Sequence, residues 1–260
     1  MIGLRQIKSQ LINFFIEVGE ISYFTKRFFI EVFKRPFETK EFLRQCYQMG
    51  NRSLLLVGIT GFIIGLVLTL QTRPTLMEFG AVSWMPSMVS ISIVREIGPI
   101  ITALVCAGRI GSGIGAELGS MRVTEQIDAM EVSGTNPFKY LVATRVLAVT
   151  LMLPLLVLFG DAIALFGSYL VENLKGNVSF LLYFNKVFDA LEFGDILPAT
   201  IKSFFFGLAI GIVGCYKGYN CKKGTEGVGK AANTAVVLSS LLLFIIDFIA
   251  VFVTDIFYDL

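Results

Sequence analysis

Long runs without charge dominate the pattern of apolar and polar positions along the chain. Residues 53–72 contain no charged side chain, and residues 146–171, 196–216 and 231–253 contain one each. A helix needs about 20 predominantly apolar residues to cross the hydrocarbon core of a bilayer. The pattern therefore predicts four membrane-spanning helices, one over each of these ranges.

A fifth apolar region, residues 79–119, lies second in order and is too long for a simple crossing. It is interrupted by Arg95, Glu96 and Pro99. As one helix it would measure roughly 60 Å, about twice the thickness of the hydrocarbon core. We expect it to begin as a surface or re-entrant segment, or to tilt and protrude, before it crosses. The predicted fold class is thus an all-α integral membrane protein with five spans.

The first 52 residues have a different pattern, with nine Lys or Arg and five Glu between aromatic side chains. Phe24 and Phe28 recur at helical spacing, and no uncharged run approaches the length of a span. This predicts an amphipathic helix that lies in the membrane interface, with a soluble helical cap as the alternative. The chain then divides into an interfacial segment, residues 1–52, and a five-span domain, residues 53–260.

Basic residues at the ends of the spans indicate the orientation. Lys and Arg accumulate in short segments on the cytoplasmic side of a membrane protein. The N-terminal segment carries nine, the link after span two carries three, and the link after span four carries four. The other two links carry one and two, and the C-terminal tail carries none. This predicts a cytoplasmic N-terminus and a C-terminus outside.

Composition removes several classes of function. The chain is 55% hydrophobic, and its net charge of +2 provides no basic surface for nucleic acid. It contains no histidine, which excludes His-based catalytic triads and the usual zinc sites. Its four cysteines form no CxxC pair, and we interpret those in apolar runs as small packing residues. No metal site and no bound cofactor are expected in this chain.

Charged residues inside the spans are the first candidates for function. Glu96, Asp161 and Asp247 would be costly if they faced lipid, so each should face the protein interior or water. Arg95 and Glu96 are adjacent and point about 100° apart on a helix, so they need not pair with each other. Glu96 precedes Gly98 and Pro99 and could lie at a helix break beside a polar cavity. The alternative is that Arg95 and Glu96 mark the outer membrane boundary.

Glycines spaced by four form a row in the second span. Gly111, Gly115 and Gly119 lie on one face of a helix, where another backbone can approach closely within lipid. We interpret the row as a helix-packing seam, with a sliding surface as the alternative.

The sequence GTEGVGKA, residues 224–231, nearly matches the phosphate-binding pattern GxxxxGK[ST]. Ala231 occupies the position of the Ser or Thr that would bind magnesium, and a membrane span precedes the motif in place of a strand. We therefore reject nucleotide binding here and expect the glycines to shape a tight turn before the last span.

A short helix is predicted between spans two and three. Thr124 can cap it, Glu125 suits its first turn, and Gly134 and Pro137 end it. Ile127 and Met130 fall on one side of this helix, and Glu125 and Asp128 fall elsewhere. Such a helix either presents a surface to a soluble partner or lies on the membrane.

Four blocks of the sequence resemble, in order and spacing, those of the MlaE-type permease family. The blocks are REIGP (95–99), AGRIGSGIGAELG (107–119), TEQIDAMEVSGTNP (124–137) and GTEGVGKA (224–231). Members of this family are the membrane subunits of ABC systems that move phospholipid between bacterial membranes, and plastid relatives exist. The resemblance covers nearly the whole chain.

The resemblance implies roles for particular residues. Glu96 and, beside it, Arg95 would face a lipid-binding cavity, with Leu68 and Gln71 at the outer end of span one as weaker candidates. The short helix would dock into a separate ATPase subunit. Its candidate contact residues are Glu125, Gln126, Ile127, Asp128 and Met130.

The resemblance also implies the partners and the location. These are a homodimer in the bacterial inner membrane, a cytoplasmic ATPase that binds ATP and magnesium, and a periplasmic MCE-domain protein that passes phospholipid onward. The plastid inner envelope is a second possible location. Two other function classes stay open, an intramembrane lipid enzyme and a scaffold that only anchors an ATPase or a periplasmic protein.

Overall fold

The computed structural model describes the backbone of residues 2–35, 37–222 and 224–258. Lys223, one of the four basic residues counted after span four, lies outside these ranges. The described residues form ten α-helices and no strand. The helices are α1 (Ile2–Val32), α2 (Thr39–Glu78), α3 (Met85–Ser92), α4 (Gly98–Cys106), α5 (Ser112–Val123), α6 (Gln126–Val132), α7 (Thr144–Gly176), α8 (Phe180–Ala190), α9 (Phe193–Tyr219) and α10 (Thr225–Tyr258).

Five helical segments are long and apolar enough to cross a membrane, which confirms the all-α membrane fold with five spans. The segments are Thr39–Glu78, Val82–Val123, Phe138–Gly176, Phe193–Tyr219 and Thr225–Ile256. The first of them extends well before the charge-free run, so residue 52 lies inside α2. The helix passes without interruption through the place where we expected the interfacial segment to end.

The second span is one continuous helical rod from Val82 to Val123, and no re-entrant loop interrupts it. A 3₁₀ turn begins it, and two π-helical turns, Ile93–Ile97 and Ala107–Gly111, separate α3, α4 and α5. Pro99 is the second residue of α4 and has no N–H to donate, which suits a wider turn before it. A continuous helix of this length must tilt within the membrane or extend beyond it. A third π-turn, Phe138–Ala143, opens span three.

Close backbone contact between α2 and α7 forms the largest interface of the bundle. A Cβ atom added at Gly65 would lie 1.9 Å from the carbonyl oxygen of Ala164, and one at Gly61 would lie 2.6 Å from that of Gly160. Dispersion forces grow steeply as surfaces approach, and lipid supplies no hydrophobic force to replace them. Small residues thus hold α2 against α7.

The glycine row of the second span faces α9 and α10. A Cβ atom added at Gly115 would lie 3.2 Å from Cα of Ala232, and one at Gly119 would lie 3.4 Å from Sγ of Cys221. At Gly111 the nearest atoms belong to α9 and α10, at 3.5 and 3.9 Å. The row therefore lies where the last span packs closely on α5.

The first helix packs through aromatic side chains against the π-turn Phe138–Ala143 and the end of α9. The Phe24 ring lies 4.9 Å from that of Phe138 and 5.6 Å from that of Tyr216, centroid to centroid. The Arg27 guanidinium lies 4.2 Å above the Phe138 ring. Phe24 and Phe28 are both buried, so the predicted apolar face of α1 packs on the protein.

A helix absent from the predictions, α8, lies between spans three and four. The Ser179 hydroxyl caps it by accepting a hydrogen bond from the Leu182 amide at 3.4 Å. Its buried Tyr183 donates a hydrogen bond to Ser168 at 2.7 Å, which ties α8 to α7. With 11 residues α8 is too short to cross a bilayer, so the sequence pattern indicated only a link between spans three and four.

Candidate functional site

A buried lysine within the fourth span organises the main polar cluster of the bundle. Lys202 is 5% exposed and lies about 14 Å along α9 from its first residue, at 1.5 Å per residue. Its ammonium group forms ion pairs with Glu96, from the π-turn of the second span, and with Asp247 of α10 at 2.9 Å. Three spans thus contribute to one charged cluster within apolar surroundings.

A second ion pair lies beside the first. Arg95 donates from Nε to Oδ1 of Asp195 at 2.5 Å. Asp195 also accepts the backbone N–H of Glu192 at 3.0 Å, and the two side chains form a capping box at the start of α9. Arg95 and Glu96 therefore bind different residues of α9 and do not pair with each other.

Asp161 lies behind this cluster, where the π-turn meets α7. It is 5% exposed, and its Oδ1 has no hydrogen-bond partner in the described structure. A Cβ atom added at Gly98 would lie 1.7 Å from the same oxygen. The glycine of the REIGP block is therefore required for the second span to approach Asp161.

The ion pairs line a cavity of about 350 Å³ between the second span, α9 and α10. The second span and α9 contribute the charged residues Arg95, Glu96, Asp195 and Lys202 to its lining. From α10 come the apolar Ala250 and Val251 together with the polar Thr254 and Asp255. This volume is near the lower end of the range for small-ligand pockets, about 300–1,000 Å³. The cavity can hold a polar group of lipid-headgroup size, while long acyl chains would have to lie outside it.

Of the four lipid-cavity candidates from the sequence, the structure brings two into this cavity. Arg95 and Glu96 line it, whereas Leu68 and Gln71 do not. Leu68 is partly buried against an apolar cluster that includes Met85, and Gln71 is exposed. Sequence reasoning did not select Lys202 or Asp195. The signal for Lys202 was present, since it is the single charge of its span.

The short helix α6 lies between spans two and three, as predicted. Ile127 is fully buried in the core of this chain, and Met130 packs partly against that core. Gln126 and Asp128 are exposed, and Asp128 forms an ion pair with Arg122. The exposed side of α6 therefore carries Gln126, Asp128 and the apolar Val132, and Ile127 fixes the helix to the bundle.

The predicted cap of this helix is wrong. Thr124 ends α5 and donates its hydroxyl hydrogen to the Ser120 carbonyl at 2.9 Å, so it does not start α6. Glu125 occupies the first capping position instead, in the left-handed conformation with φ of 58°. This left-handed residue is where the chain turns from α5 into α6.

The GTEGVGKA segment forms a tight turn at the start of α10. Gly224 has a φ of +106°, which other residues rarely adopt, and the helix begins at Thr225. A Cβ atom added at Gly227 would lie 2.2 Å from the Lys222 carbonyl oxygen. Gly224 and Gly227 therefore serve the turn, as expected, whereas Gly229 lies within α10 with nothing within 4 Å of an added Cβ atom.

The profile of one protein family, described as Permease MlaE, matches residues 42–253. The chain belongs to the MlaE permease family. The match begins near the start of α2 and ends near the end of α10, so it covers nearly all of the five spans of the permease and leaves the whole of α1 outside.

Three relatives illustrate what the permease is similar to. A probable ABC transporter permease protein of Rickettsia prowazekii is 39% identical over 95% of this chain and 94% of its own length. A probable ABC transporter permease protein of Synechocystis is 36% identical over 79% of this chain and 78% of its own. The intermembrane phospholipid transport system permease protein MlaE of Haemophilus influenzae is 32% identical over 92% of both chains.

Membership in the MlaE permease family makes this chain a permease of the ABC transporter class, and such permeases are not themselves catalytic. Among the described residues, no group of three His, Cys, Asp or Glu side chains is placed to hold a metal ion.

Proposed function

We propose that this permease moves phospholipid between the inner membrane and a periplasmic MCE-domain partner, driven by a separate ATPase subunit. The observation that carries the proposal is the charged cluster on Lys202, set inside apolar spans and open to a cavity. The Haemophilus relative is named as an intermembrane phospholipid transport permease, which supports the same substrate class.

A phospholipid presents charge at one end and apolar chains at the other. The cavity offers both kinds of contact, with Arg95, Glu96 and Lys202 as charged groups and Ala250 and Val251 of α10 as apolar ones. Arg95 can contact a phosphate, and Glu96 an ammonium group, so zwitterionic and anionic lipids both fit this chemistry. Binding and release require no covalent step, which suits a permease.

The proposed energy source is ATP hydrolysis in a cytoplasmic partner that binds ATP and magnesium. Within this chain, α6 is the proposed coupling helix. It is anchored by Ile127 and exposes Gln126 and Asp128. A rigidly anchored helix can transmit a displacement of the ATPase to spans two and three because it directly connects them.

A second copy of this chain is the proposed partner within the membrane. In the most apolar stretch of the last span, only 11% of the residues are buried within this chain, and in that of the first span 28% are buried. The corresponding share is 50% in each of the other three spans. The last span forms one wall of the cavity, so two copies that meet there would enclose the lipid path between them. The proposed location is the bacterial inner membrane, with the N-terminus cytoplasmic and the C-terminus periplasmic.

The coupling helix gives the first test. The double variant Glu125→Lys and Asp128→Arg reverses two charges at α6. It is expected to abolish copurification of the permease with its ATPase, because α6 would then repel the ATPase surface that it is proposed to contact. Pull-down from detergent extracts measures the effect. Glu38→Arg, at an exposed position outside α6, is the matched control and should leave the complex intact. Undiminished copurification of the double variant would show that α6 is not the docking element.

A further inference from the structure

A second polar pocket lies at the opposite end of the bundle, between α2 and the end of the second span. Its volume is about 400 Å³. The lining residues used in this argument are Gln48, Arg52, Ser53, Arg109, Gly113 and Glu117. None of them lines the cavity at Lys202. The pocket is therefore a separate site that the transport cavity does not explain.

The depth of this pocket follows from the sequence of α2. Ser53 is the first residue of the charge-free run, so Arg52 and Ser53 lie where the hydrocarbon layer gives way to the polar layer. This is the end of the bundle with the lysine- and arginine-rich links, which we propose to be cytoplasmic. Phosphates of lipid headgroups occupy the same layer.

The pocket carries an excess of positive charge. Arg52 and Arg109 are exposed, and in the described part of the chain neither forms an ion pair. Glu117 is the single carboxylate among the lining residues, and buried Arg145 binds it at 2.8 Å. Arg145 thus neutralises the charge of the Glu117 carboxylate. No further carboxylate lines the pocket to neutralise Arg52 and Arg109.

A buried hydroxyl supplies an independent sign of a ligand. Ser53 is 1% exposed, and its Oγ has no hydrogen-bond partner in the described structure. Elsewhere on the same helix, Thr60 and Thr69 each donate to the carbonyl four residues earlier, at 2.8 Å. Because an unsatisfied buried hydroxyl is unfavourable, Ser53 is poised to donate to a group that enters the pocket.

We propose that this pocket binds the phosphate of a phospholipid headgroup in the leaflet at the basic end of the bundle. Arg52 and Arg109 contact the phosphate oxygens, and Ser53 donates a hydrogen bond. The acyl chains lie along the exposed apolar face of α2, where Leu55 is 75% exposed. This inference rests on the proposed phospholipid substrate and gives the permease a loading or unloading point remote from Lys202.

Site-specific photo-crosslinking tests the proposal. A benzophenone amino acid replaces Gln48 in the full chain, which is reconstituted without ATP in phosphatidylglycerol vesicles, and mass spectrometry measures the yield of crosslinked lipid. Substituting Arg52→Ala together with Arg109→Ala should lower the yield about tenfold, as expected for loss of charged hydrogen bonds. The same probe at Leu158, an exposed residue of α7 that lines neither cavity, reports general lipid contact, and its yield should not change.

A steric variant keeps the test informative if the alanine variant misfolds. A Cβ atom added at Gly113 or Gly108 meets nothing within 4 Å, but only Gly113 lines the pocket. Gly113→Leu should therefore lower the yield at Gln48, and Gly108→Leu should not. Unchanged yields at Gln48 in both the arginine and the Gly113 variants would overturn the proposal.

Inorganic phosphate distinguishes a headgroup from a free anion. Added at the concentration of the lipid, it should leave the crosslink unchanged, because the apolar contacts of the chains favour the lipid. Loss of the crosslink under this condition would assign the pocket to free phosphate and contradict lipid binding. No ATPase is present, so a failure here is distinct from a failure of transport.

Discussion

Lys202→Met is expected to destabilise the permease by about 3 kcal/mol and to remove most of the phospholipid that copurifies with it. The substitution leaves Asp247 and Glu96 without their shared cation, and removing one partner of a buried pair typically costs about 3–5 kcal/mol. We place the cost at the lower end because the Glu96 side chain is 41% exposed, whereas that of Asp247 is 15% exposed. Thermal unfolding in detergent and lipid mass spectrometry measure the two effects.

A triple variant separates the stability effect from the binding effect. Lys202→Met combined with Glu96→Gln and Asp247→Asn removes all three charges, and such neutral replacement of a buried ion cluster is often tolerated. It should recover most of the lost thermal stability but not the bound lipid. Lys175→Met, at an exposed lysine, is the control for loss of one positive charge. Full recovery of lipid in the triple variant would show that the charges serve folding alone.

Gly65→Ala is expected to prevent normal packing of α2 on α7. The new methyl group would lie 1.9 Å from the Ala164 carbonyl oxygen, which is a backbone atom, so only displacement of a whole helix can relieve the clash. Overpacking costs typically about 1–3 kcal/mol, and this rigid contact should lie at or above the upper end. The yield of folded protein in size-exclusion chromatography and its thermal midpoint measure the effect.

The order of several glycine variants tests the same geometry more sharply. Gly61→Ala, with 2.6 Å to the Gly160 carbonyl oxygen, should be less damaging than Gly65→Ala. Gly108→Ala meets nothing within 4 Å and should be neutral or stabilising, since alanine favours a helix by about 1 kcal/mol over glycine. Equal effects at Gly65 and Gly108 would contradict the close approach of α2 and α7.

The five spans could be predicted from the sequence because a span depends on the length of an apolar run, which is a local property. The charged cluster could be predicted only in part. Because a charge facing lipid is costly in free energy, the sequence predicts that Glu96 and Asp247 face the protein interior. The same argument does not identify the cation with which they pair. Lys202 meets both only after α9 and α10 pack beside the second span.

The short helix shows the same limit on a smaller scale. Helical periodicity correctly grouped Ile127 with Met130, yet it could not tell whether that side meets a partner or the chain's own core. The structure buries Ile127 completely. Thr124 likewise had the right chemistry for a cap, but α5 extends to Val123 and makes Thr124 its end. Whether Thr124 ends α5 or begins α6 depends on tertiary packing, which a local capping pattern does not encode.

Reconstituted transport tests the central claim most directly. The permease, its ATPase and an MCE-domain partner are placed in vesicles with fluorescent phospholipid, beside acceptor vesicles without protein. We expect ATP to drive exchange of the label between vesicles, and we expect the triple variant at Glu96, Lys202 and Asp247 to hydrolyse ATP without moving lipid. Transport by the triple variant at the rate of the unsubstituted protein would contradict the account.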